Sequence, residues 1–231
     1  EKIAEEKDRL IKEGKIKKQK KLPEITEEEK PFDLPVGWEW VRLGTALKKI
    51  TDGTHHSPPN YEHGEFLYIS AKNIKYKGIS LEDVSYVTRE IHNEIFSRCN
   101  PEFGDILYIK DGATTGVATI NNLKDPFSML SSVALLKLPK GVFNSYLLLA
   151  LISPFFYDSI RSDMTGVAIT RVTLNKLNSA FIPLPPLAEQ HRIVSKVDEL
   201  MALCDTFKSC LTDAQATQKQ LVNTVVNQVV G

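Results

Sequence analysis

Three polar segments of the chain carry side chains that could form directional hydrogen bonds with a ligand. The groups are Thr54, His55 and His56 in residues 51–57, then Lys110, Asp111, Thr114 and Thr115, and finally Thr170 with Arg171. Hydroxyl, imidazole, carboxylate and cationic groups can donate to, or accept from, the edges of nucleic-acid bases. An ordinary surface or turn role is the alternative for each residue, and the sequence leaves both open.

Several segments approach catalytic motifs without completing them. Residues 57–60 carry the paired prolines of amino-methyltransferases, but Asn60 stands where an aromatic residue is required and no Gly-x-Gly loop precedes it. Residues 112–116 are glycine-rich but lack the Lys and Ser/Thr of a phosphate-binding loop. His55 and His56 have no cysteine or carboxylate cluster at ligand spacing, which favours loop histidines without metal. The sequence therefore predicts no catalysis, no cofactor and no metal in this chain.

The elements that must position these residues are short. Period-two apolar patterns predict strands at 40–43, 65–70, 105–110, 116–120 and 132–138. Residues 144–153 and 154–163 are predicted helices, and Thr173 could cap a short helix at 174–177. The pattern predicts an α+β fold with a mixed, curved sheet, followed by a long C-terminal coiled-coil helix.

Three regions separate along the chain. Residues 1–35 are predicted to form a charged helical arm that Gly14 ends or weakens, followed by a proline-containing linker. The basic run at 15–21 is either a solvated linker or a strap that contacts phosphate. Residues 36–185 form the predicted recognition domain, and residues 186–231 the long helix. Because the chain opens inside a helical pattern without Met, we expect it to be a piece of a longer protein.

The C-terminal region contains neither Gly nor Pro from Ala188 to Val230. Apolar or small residues recur there in four-then-three steps, interrupted only by Gln218: Ile193, Val197, Leu200, Cys204, Phe207, Leu211, Ala214, Leu221 and Val225. This spacing is typical of a coiled-coil seam, and the helix would be roughly 60 Å long at 1.5 Å per residue. We therefore predict that it binds an extended partner. The alternative is a terminal helix that packs on its own domain.

Residues 183–194, read Pro-Leu-Pro-Pro-Leu-Ala-Glu-Gln-His-Arg-Ile-Val, resemble the helical region of DNA-specificity subunits of Type I restriction-modification systems. Further resemblance lies in residues 14–21, 34–40, 104–107 and 111–116, so that it covers most of the chain. The resemblance implies a target-recognition domain that reads one half of a bipartite DNA site. The rival hypothesis is a structural or adaptor module whose helix joins protein partners without reading DNA.

The resemblance also implies roles for individual residues. The loop with Asp-Gly-Thr-His, followed by residues 66–74, is similar to one subgroup of recognition domains, in which Lys72 and Asn73 would project from a strand end. The implied DNA-binding residues are Thr54, His55, His56, Lys72, Asn73, Lys110, Asp111, Thr114, Thr115, Thr170 and Arg171. The predicted partner-binding residues are Glu189, Gln190, Ile193, Val197, Leu200, Cys204, Phe207, Leu211 and Leu221.

The implied partners are double-stranded DNA, a methyltransferase subunit and a restriction subunit. S-adenosylmethionine, ATP and Mg²⁺ are expected on those partner subunits and not on this chain. A second recognition half, or a second copy, would pair through the long helix.

Charge and cysteine content limit these interpretations. The sequence has 29 basic and 29 acidic residues, which argues against a protein that tracks phosphates without regard to sequence. Local readout of base edges remains compatible with this balance. Three cysteines without paired metal spacing make a disulfide framework improbable, and no apolar run or signal pattern indicates a membrane. The expected compartment is the cytoplasm.

Overall fold

A computed structural model of the chain describes residues 2–14, 16, 18, 21–161 and 171–230, leaving out the side chains of Lys2, Val229 and Val230. The strands are β1 Glu39–Arg42, β2 Lys49–Asp52, β3 Phe66–Ile69, β4 Ile74–Lys75, β5 Gly78–Ile79, β6 Ser85–Val87, β7 Ile106–Ile109, β8 Ala118–Ile120, β9 Ser128–Met129, β10 Val133–Lys137 and β11 Phe181–Leu184. The helices are α1 Lys2–Lys12, α2 Leu43–Ala46, α3 Arg89–Arg98, α4 Asn144–Ile152, α5 Pro154–Arg161, α6 Leu174–Ser179 and α7 Leu187–Val230. Short 3-10 helices cover Glu27–Glu29 and Ala71–Asn73.

An antiparallel sheet of order β2-β10-β7-β8 forms the centre of the recognition domain. Strands β7 and β10 are apolar runs because both of their faces are buried. Ile106 and Tyr108 contribute to one core cluster, whereas Leu107 and Ile109 contribute to another on the opposite face. The alternation of side chains along each strand thus divides the core into two layers.

Helices cover the first face of this sheet, and smaller sheets complete the domain. The first core cluster includes Leu147 and Leu151 of α4 and Phe156 of α5. The second includes Ile69 of β3 and Met129 of β9, which pair in parallel within a mixed three-stranded sheet of order β6-β3-β9. The α+β prediction is confirmed, with its strands distributed over four sheets among the described residues.

Local signals predicted several elements well. The side chain of Thr173 accepts a hydrogen bond from the Lys176 amide, 3.2 Å away, and so caps α6 as expected. The proline-rich segment is extended: β11 pairs antiparallel with β1, and the Tyr146 hydroxyl donates to the Pro183 carbonyl at 2.7 Å. Residues 162 and 163, at the end of the second predicted helix, lie outside the described residues.

Several elements were not predicted from the sequence, among them α3 and β2. Only His92 and Ile95 are buried on helix α3, so its sequence shows little of the apolar periodicity that would predict a helix. Strand β2 includes Thr51 and Asp52, which we expected to lie in a polar loop. Pairing with β10 decides that these residues are extended, and this is a tertiary contact that local sequence does not encode.

The N-terminal arm packs on the recognition domain. Helix α1 ends before Gly14, whose φ of +70° favours glycine, as predicted. The Lys7 ammonium donates to the carbonyls of Gly44 and Thr45 at 2.8 and 2.9 Å. Arg42 pairs with Glu29 of the linker at 2.8 Å, so the linker also contributes contacts. Residues 1–190 form one compact unit.

Residues 191–231 form a second unit, which consists of the larger part of α7. The apolar side chains of its seam are exposed to solvent: Leu200 is 48% exposed, Phe207 59% and Leu211 63%. The helix is 44 residues long, which corresponds to about 66 Å. Among the helices of the described chain, none is both long and apolar enough to cross a membrane.

Candidate nucleic-acid interface

The segment that connects β9 and β10 forms backbone hydrogen bonds with the first polar loop, which contains Thr54, His55 and His56. The Thr54 amide donates to the Met129 carbonyl at 2.9 Å, and the Ser131 amide donates to the Thr54 carbonyl at 2.8 Å. A Cβ on Gly53 would overlap the Met129 carbonyl, so this close approach requires glycine. The loop after β2 is therefore bonded to the backbone of residues 129–131.

Ser132 joins two further segments to the same place. Its carbonyl accepts from the Lys110 amide at 2.9 Å, and its hydroxyl accepts from the Ala71 amide at 3.2 Å. The second polar loop and the short helix Ala71–Asn73 are thus bonded to one residue. This role of residues 129–132 could not be predicted from the sequence, because their hydrogen-bond partners are distant along the chain.

The third polar segment reaches the second through backbone pairing. Asp111 and Arg171 form an isolated antiparallel bridge, and the Val172 amide donates to the Lys110 carbonyl at 2.7 Å. The Arg171 Nε lies 3.5 Å from Asp111 Oδ1. Thr170, which was also predicted to bind DNA, lies outside the described residues. The structure therefore brings together three loops, of which the first and the third are more than a hundred residues apart in the sequence.

Buried charges lie beneath these loops. Lys110 Nζ is 2.7 Å from Asp111 Oδ2 and 3.5 Å from Asp52 Oδ2. Asp52 Oδ1 lies 3.4 Å from His55 Nε2 and 3.5 Å from Arg98 Nη1. Buried charges are tolerated only where opposite charges accompany them, so this network fixes the relative positions of the loops.

Asp52 and Arg98 were missed as members of this network. Arg98 ends α3, and its guanidinium also donates to the carbonyls of Asp52 and Gly53. An acidic residue beside the glycine and the histidines of the first loop was the available signal for Asp52. Arg98 could not be inferred because α3 itself was not predicted.

Helix α3 also supports β9 from behind. His92 is buried, its Nδ1 lies 3.0 Å from the Ser128 hydroxyl, and its ring stacks on Phe66 with centroids 3.8 Å apart. Burial, followed by the nearby Arg89 charge, lowers the pKa of His92. The neutral ring therefore serves as a packing and hydrogen-bonding group that holds the strand preceding residues 129–132.

The predicted DNA-binding residues fall into exposed and buried groups. Exposed or partly exposed are Thr54, His55, His56, Lys72, Asp111, Thr114 and Arg171. The Thr54 hydroxyl closes its own turn by donating to the His56 carbonyl at 3.0 Å. Among the described residues, no group of three or more His, Cys, Asp or Glu could hold a metal ion.

Asn73 does not project from a strand end as expected. It is fully buried at the end of the short helix, where its Oδ1 accepts from the Ser70 amide at 3.1 Å and its Nδ2 donates to the Ser80 carbonyl at 3.2 Å. The side chain closes a turn because burial requires each amide group to find a partner. Lys72, its neighbour, is exposed.

Lys110 and Thr115 are likewise internal. Lys110 is only 2% exposed, and its ammonium is held between two carboxylates. The Thr115 hydroxyl donates to the Gly112 carbonyl at 2.7 Å and stabilises the second loop. These two residues shape the surface instead of presenting side chains on it, which differs from the expectation that they face a ligand.

The beginning of α7 shows a similar division. Gln190 is buried; its Oε1 accepts from the Phe143 amide at 2.7 Å, and its Nε2 donates to the Pro185 carbonyl at 2.9 Å. Its predicted partner-binding role is therefore replaced by an internal one. Glu189, Ile193 and Val197 are partly exposed. The other predicted partner-binding residues are exposed: Leu200, Cys204, Phe207, Leu211 and Leu221.

Comparison with known proteins identifies the family. Residues 35–213 match the model of the Type I restriction modification DNA specificity domain. The chain belongs to this family. The match covers the domain that carries the three loops and extends into α7. The predicted family is therefore confirmed.

Two curated relatives of this specificity domain are specificity subunits from Escherichia coli. The chain is 35% identical to the Type I restriction enzyme EcoAI specificity subunit over 99% of its length, and 30% identical to the EcoEI specificity subunit over 97%. It covers 39% of each of these relatives. The chain thus spans about two fifths of the length of the curated relatives it matches.

Solved structures share the fold of the specificity domain. A chain from a study of complex assembly and conformational transition in the type I R-M system superposes with a TM-score of 0.61 at 26% identity, covering 83% of this chain and 45% of that one. The HsdS subunit from Thermoanaerobacter tengcongensis gives a TM-score of 0.55 at 25% identity, covering 78% and 41%. These neighbours support the α+β recognition domain.

Proposed function

We propose that this chain reads DNA sequence as one target-recognition half of a Type I restriction-modification specificity subunit. The observation that carries the proposal is the gathering of the three polar loops around residues 129–132. The exposed groups there, including His55, Lys72, Thr114 and Arg171, are suited to hydrogen bonds with base edges and phosphates. Membership of the family of Type I DNA specificity domains also supports this assignment.

Arg171 is the strongest candidate for direct base readout. Its side chain is 65% exposed, and the contact between its Nε and Asp111 at 3.5 Å orients the guanidinium without burying it. Arginine contacts guanine through two parallel hydrogen bonds in the major groove. The balanced net charge favours such local contacts over a general attraction to phosphates.

In the proposed complex, DNA recognition and catalysis are carried out by different subunits. This chain performs no catalysis; a methyltransferase subunit binds S-adenosylmethionine and methylates adenine, and a restriction subunit uses ATP and Mg²⁺ to translocate and cleave DNA. The exposed seam of α7 pairs with a second helix or docks the methyltransferase. Because the chain covers 39% of its curated relatives, a second recognition half or a second copy reads the other half of the site.

Selection from a randomised duplex pool tests the proposal. The chain is bound to the pool with and without the methyltransferase subunit, and the retained duplexes are sequenced. We expect one short sequence to be enriched by the parent and that enrichment to be lost with Arg171→Ala. The matched variant Lys140→Ala, which removes an exposed cation beyond the opposite end of β10, should retain it. No enrichment by the parent under either condition would overturn the proposal.

A further inference from the structure

A buried carboxylate lies directly beneath one of the exposed side chains of the candidate interface. The Asp52 side chain is 1% exposed, and its Oδ1 lies 3.4 Å from Nε2 of His55, whose side chain is 49% exposed. Asp52 ends β2, and His55 follows three residues later in the first polar loop. The pair therefore connects the interior of the domain to the surface of that loop.

The two oxygens of Asp52 have different surroundings. Oδ2 faces the buried Lys110 ammonium at 3.5 Å, and Oδ1 faces both His55 and Nη1 of Arg98, the latter at 3.5 Å. Within the described part of the chain, Oδ1 is buried and completes no hydrogen bond, which is costly for a carboxylate oxygen. The Arg98 guanidinium already donates to the carbonyls of Asp52 and Gly53. The half-exposed His55 ring is therefore the neighbouring group that can move to complete the bond.

This pairing favours one neutral form of the His55 ring. A neutral imidazole carries a single N–H, and a carboxylate only accepts hydrogen bonds. Asp52 therefore favours the form in which the hydrogen is on Nε2, and Nδ1 becomes an acceptor. The two ring nitrogens point in widely different directions, so Nδ1 faces away from the buried carboxylate.

The same buried charges continue to the third polar segment. Lys110 Nζ contacts Asp111 Oδ2 at 2.7 Å, and Asp111 Oδ1 lies 3.5 Å from Arg171 Nε. His55 and Arg171 are thus the exposed ends of one chain of charged groups, and a carboxylate lies behind each of them. The Arg171 guanidinium can only donate hydrogen bonds, whereas Nδ1 of His55 accepts them. The two ends of the chain are therefore suited to different features of a base pair.

We propose that Asp52 sets His55 as a hydrogen-bond acceptor that reads the exocyclic amino group of a base, the N6 group of adenine or the N4 group of cytosine. Every base pair carries one such group in the major groove. Asp52 acts as a positioning residue, since it contacts His55 and not the DNA. This inference rests on the proposed function, because it requires DNA to contact the three loops.

Duplexes with single altered bases test the contact. Selection with His55→Ala, in the full chain with the methyltransferase subunit, first identifies the position of the enriched sequence that loses its preference. The adenine at that position is then replaced by purine, or the cytosine by 2-pyrimidinone, so that only the amino group is removed. At pH 8.5, where a histidine ring is ordinarily neutral, the affinity of the parent should fall about two- to tenfold, as for one neutral hydrogen bond.

A double-mutant cycle assigns this loss to His55. His55→Ala should bind the altered and unaltered duplexes equally, because the contact is already absent. A duplex with a 7-deazapurine in the same base pair keeps the amino group and loses an acceptor, so the parent should bind it as before. Because His55 is half exposed, this variant should keep the circular dichroism spectrum of the parent.

Two variants of the buried chain test the role of Asp52. Asp52→Asn supplies an amide that can offer either an oxygen or an N–H to His55, so the loss caused by removing the amino group should become smaller than in the parent. Asp111→Asn is the matched control, because it also removes a partner of Lys110 but does not contact His55. It should respond to the amino group as the parent does. All affinities are measured below the melting transition of the least stable variant.

The outcomes separate this inference from the proposed function. If Arg171→Ala abolishes discrimination but the parent is indifferent to the amino group, the role of His55 is wrong and the proposed function stands. Greater sensitivity of the parent to the 7-deazapurine would also overturn the inference, because His55 would then act as a donor. An equal response of Asp52→Asn and the parent would exclude Asp52 as the positioning residue. If the parent enriches no sequence, both proposals fail.

Discussion

Lys110 and Asp52 form a buried ion pair beneath the candidate interface. Lys110 Nζ lies 3.5 Å from Asp52 Oδ2, and the two side chains are 3% and 1% exposed. Asp52 ends β2 and Lys110 follows β7, while β10 lies between these two strands in the sheet. The pair therefore connects the first and second polar loops across the end of the central strand. This position makes it a determinant of loop geometry.

The Asp52→Asn substitution should destabilise the recognition domain. It removes one of the two carboxylates beside the buried Lys110 ammonium. Because Asp111 remains at 2.7 Å, the free energy of unfolding should fall by less than the cost of about 3 to 5 kcal/mol that is typical when a buried charge loses every partner. Urea unfolding measures this change. Asp111→Asn is the comparison: it also removes a partner of Lys110, but the Asp111 side chain is 22% exposed and Asp52 is 1% exposed, so the loss of Asp111 should cost less stability. Equal stability of Asp52→Asn and the parent would contradict the role assigned to the pair.

Arg171→Ala should reduce specific binding by about 1 to 3 kcal/mol if a bidentate base contact is lost. Competition between the enriched duplex and an unrelated duplex measures the change in discrimination. Circular dichroism should remain that of the parent, because Arg171 is exposed. Lys110→Ala is expected to act differently: it should lower stability, since its ammonium is buried. Full discrimination by Arg171→Ala would remove this residue from the interface.

Leu200→Asp with Leu211→Asp should disrupt pairing through α7. Each leucine would contribute about 1.5 to 3 kcal/mol by leaving water in a helix pair, and an aspartate would place an unpaired charge there. Sedimentation and capture of the methyltransferase both report the loss, while the recognition domain still melts cooperatively. Ala202→Asp with Ser209→Asp adds the same charges away from the seam and should associate like the parent. If the double Leu variant associates like the parent and only its melting temperature falls, the prediction that α7 binds a partner is wrong.

The three cysteines should differ in reactivity. Burial, the dominant cause, raises the pKa of the Cys99 thiol to about 12, whereas Cys204 and Cys210 are exposed. Since the thiolate is the reactive form, Ellman's reagent at pH 8 should modify two thiols in the folded chain and the third only in urea. Helix pairing should protect Cys204 on the seam more than Cys210. Equal reaction of both when the chain is associated would place the seam on another face.

Stability should depend on pH through Lys7 of the N-terminal arm. Burial lowers the pKa of Lys7 from 10.5 to about 8, so the folded state bears the cost of a desolvated charge below pH 8. As pH rises from 8 to 10.5 the folded chain loses this proton before the unfolded chain does, and the free energy of unfolding should increase. Lys7→Met removes this contribution. The free energy of unfolding of the parent and of Lys7→Met is measured with urea at pH 7.5 and 9.5. The value for the parent minus the value for Lys7→Met should be larger at pH 9.5. The same value at both pH values would contradict the assignment.

Strong local signals predicted much of the fold. Short apolar segments marked β7 and β10, Thr173 marked the start of α6, Gly14 marked the end of α1, and the uninterrupted pattern after residue 186 predicted α7. Helix α3 and strand β2 were missed because their conformations depend on packing and pairing with distant segments. Local propensity is a weak guide where only two side chains of a helix are buried.

The residue types of the three loops, and the family to which the chain belongs, were determined by the sequence alone. Which of those residues lie on the surface was decided only by the tertiary structure: Asn73, Lys110 and Gln190 became internal, while Lys72 and Arg171 remained exposed. Asp52 and Arg98 entered the site through contacts between segments far apart in the chain. The physical reason is that a buried polar side chain must form hydrogen bonds with groups that are close in space. Strand pairing and packing decide which groups those are, and residues that are neighbours in the sequence do not.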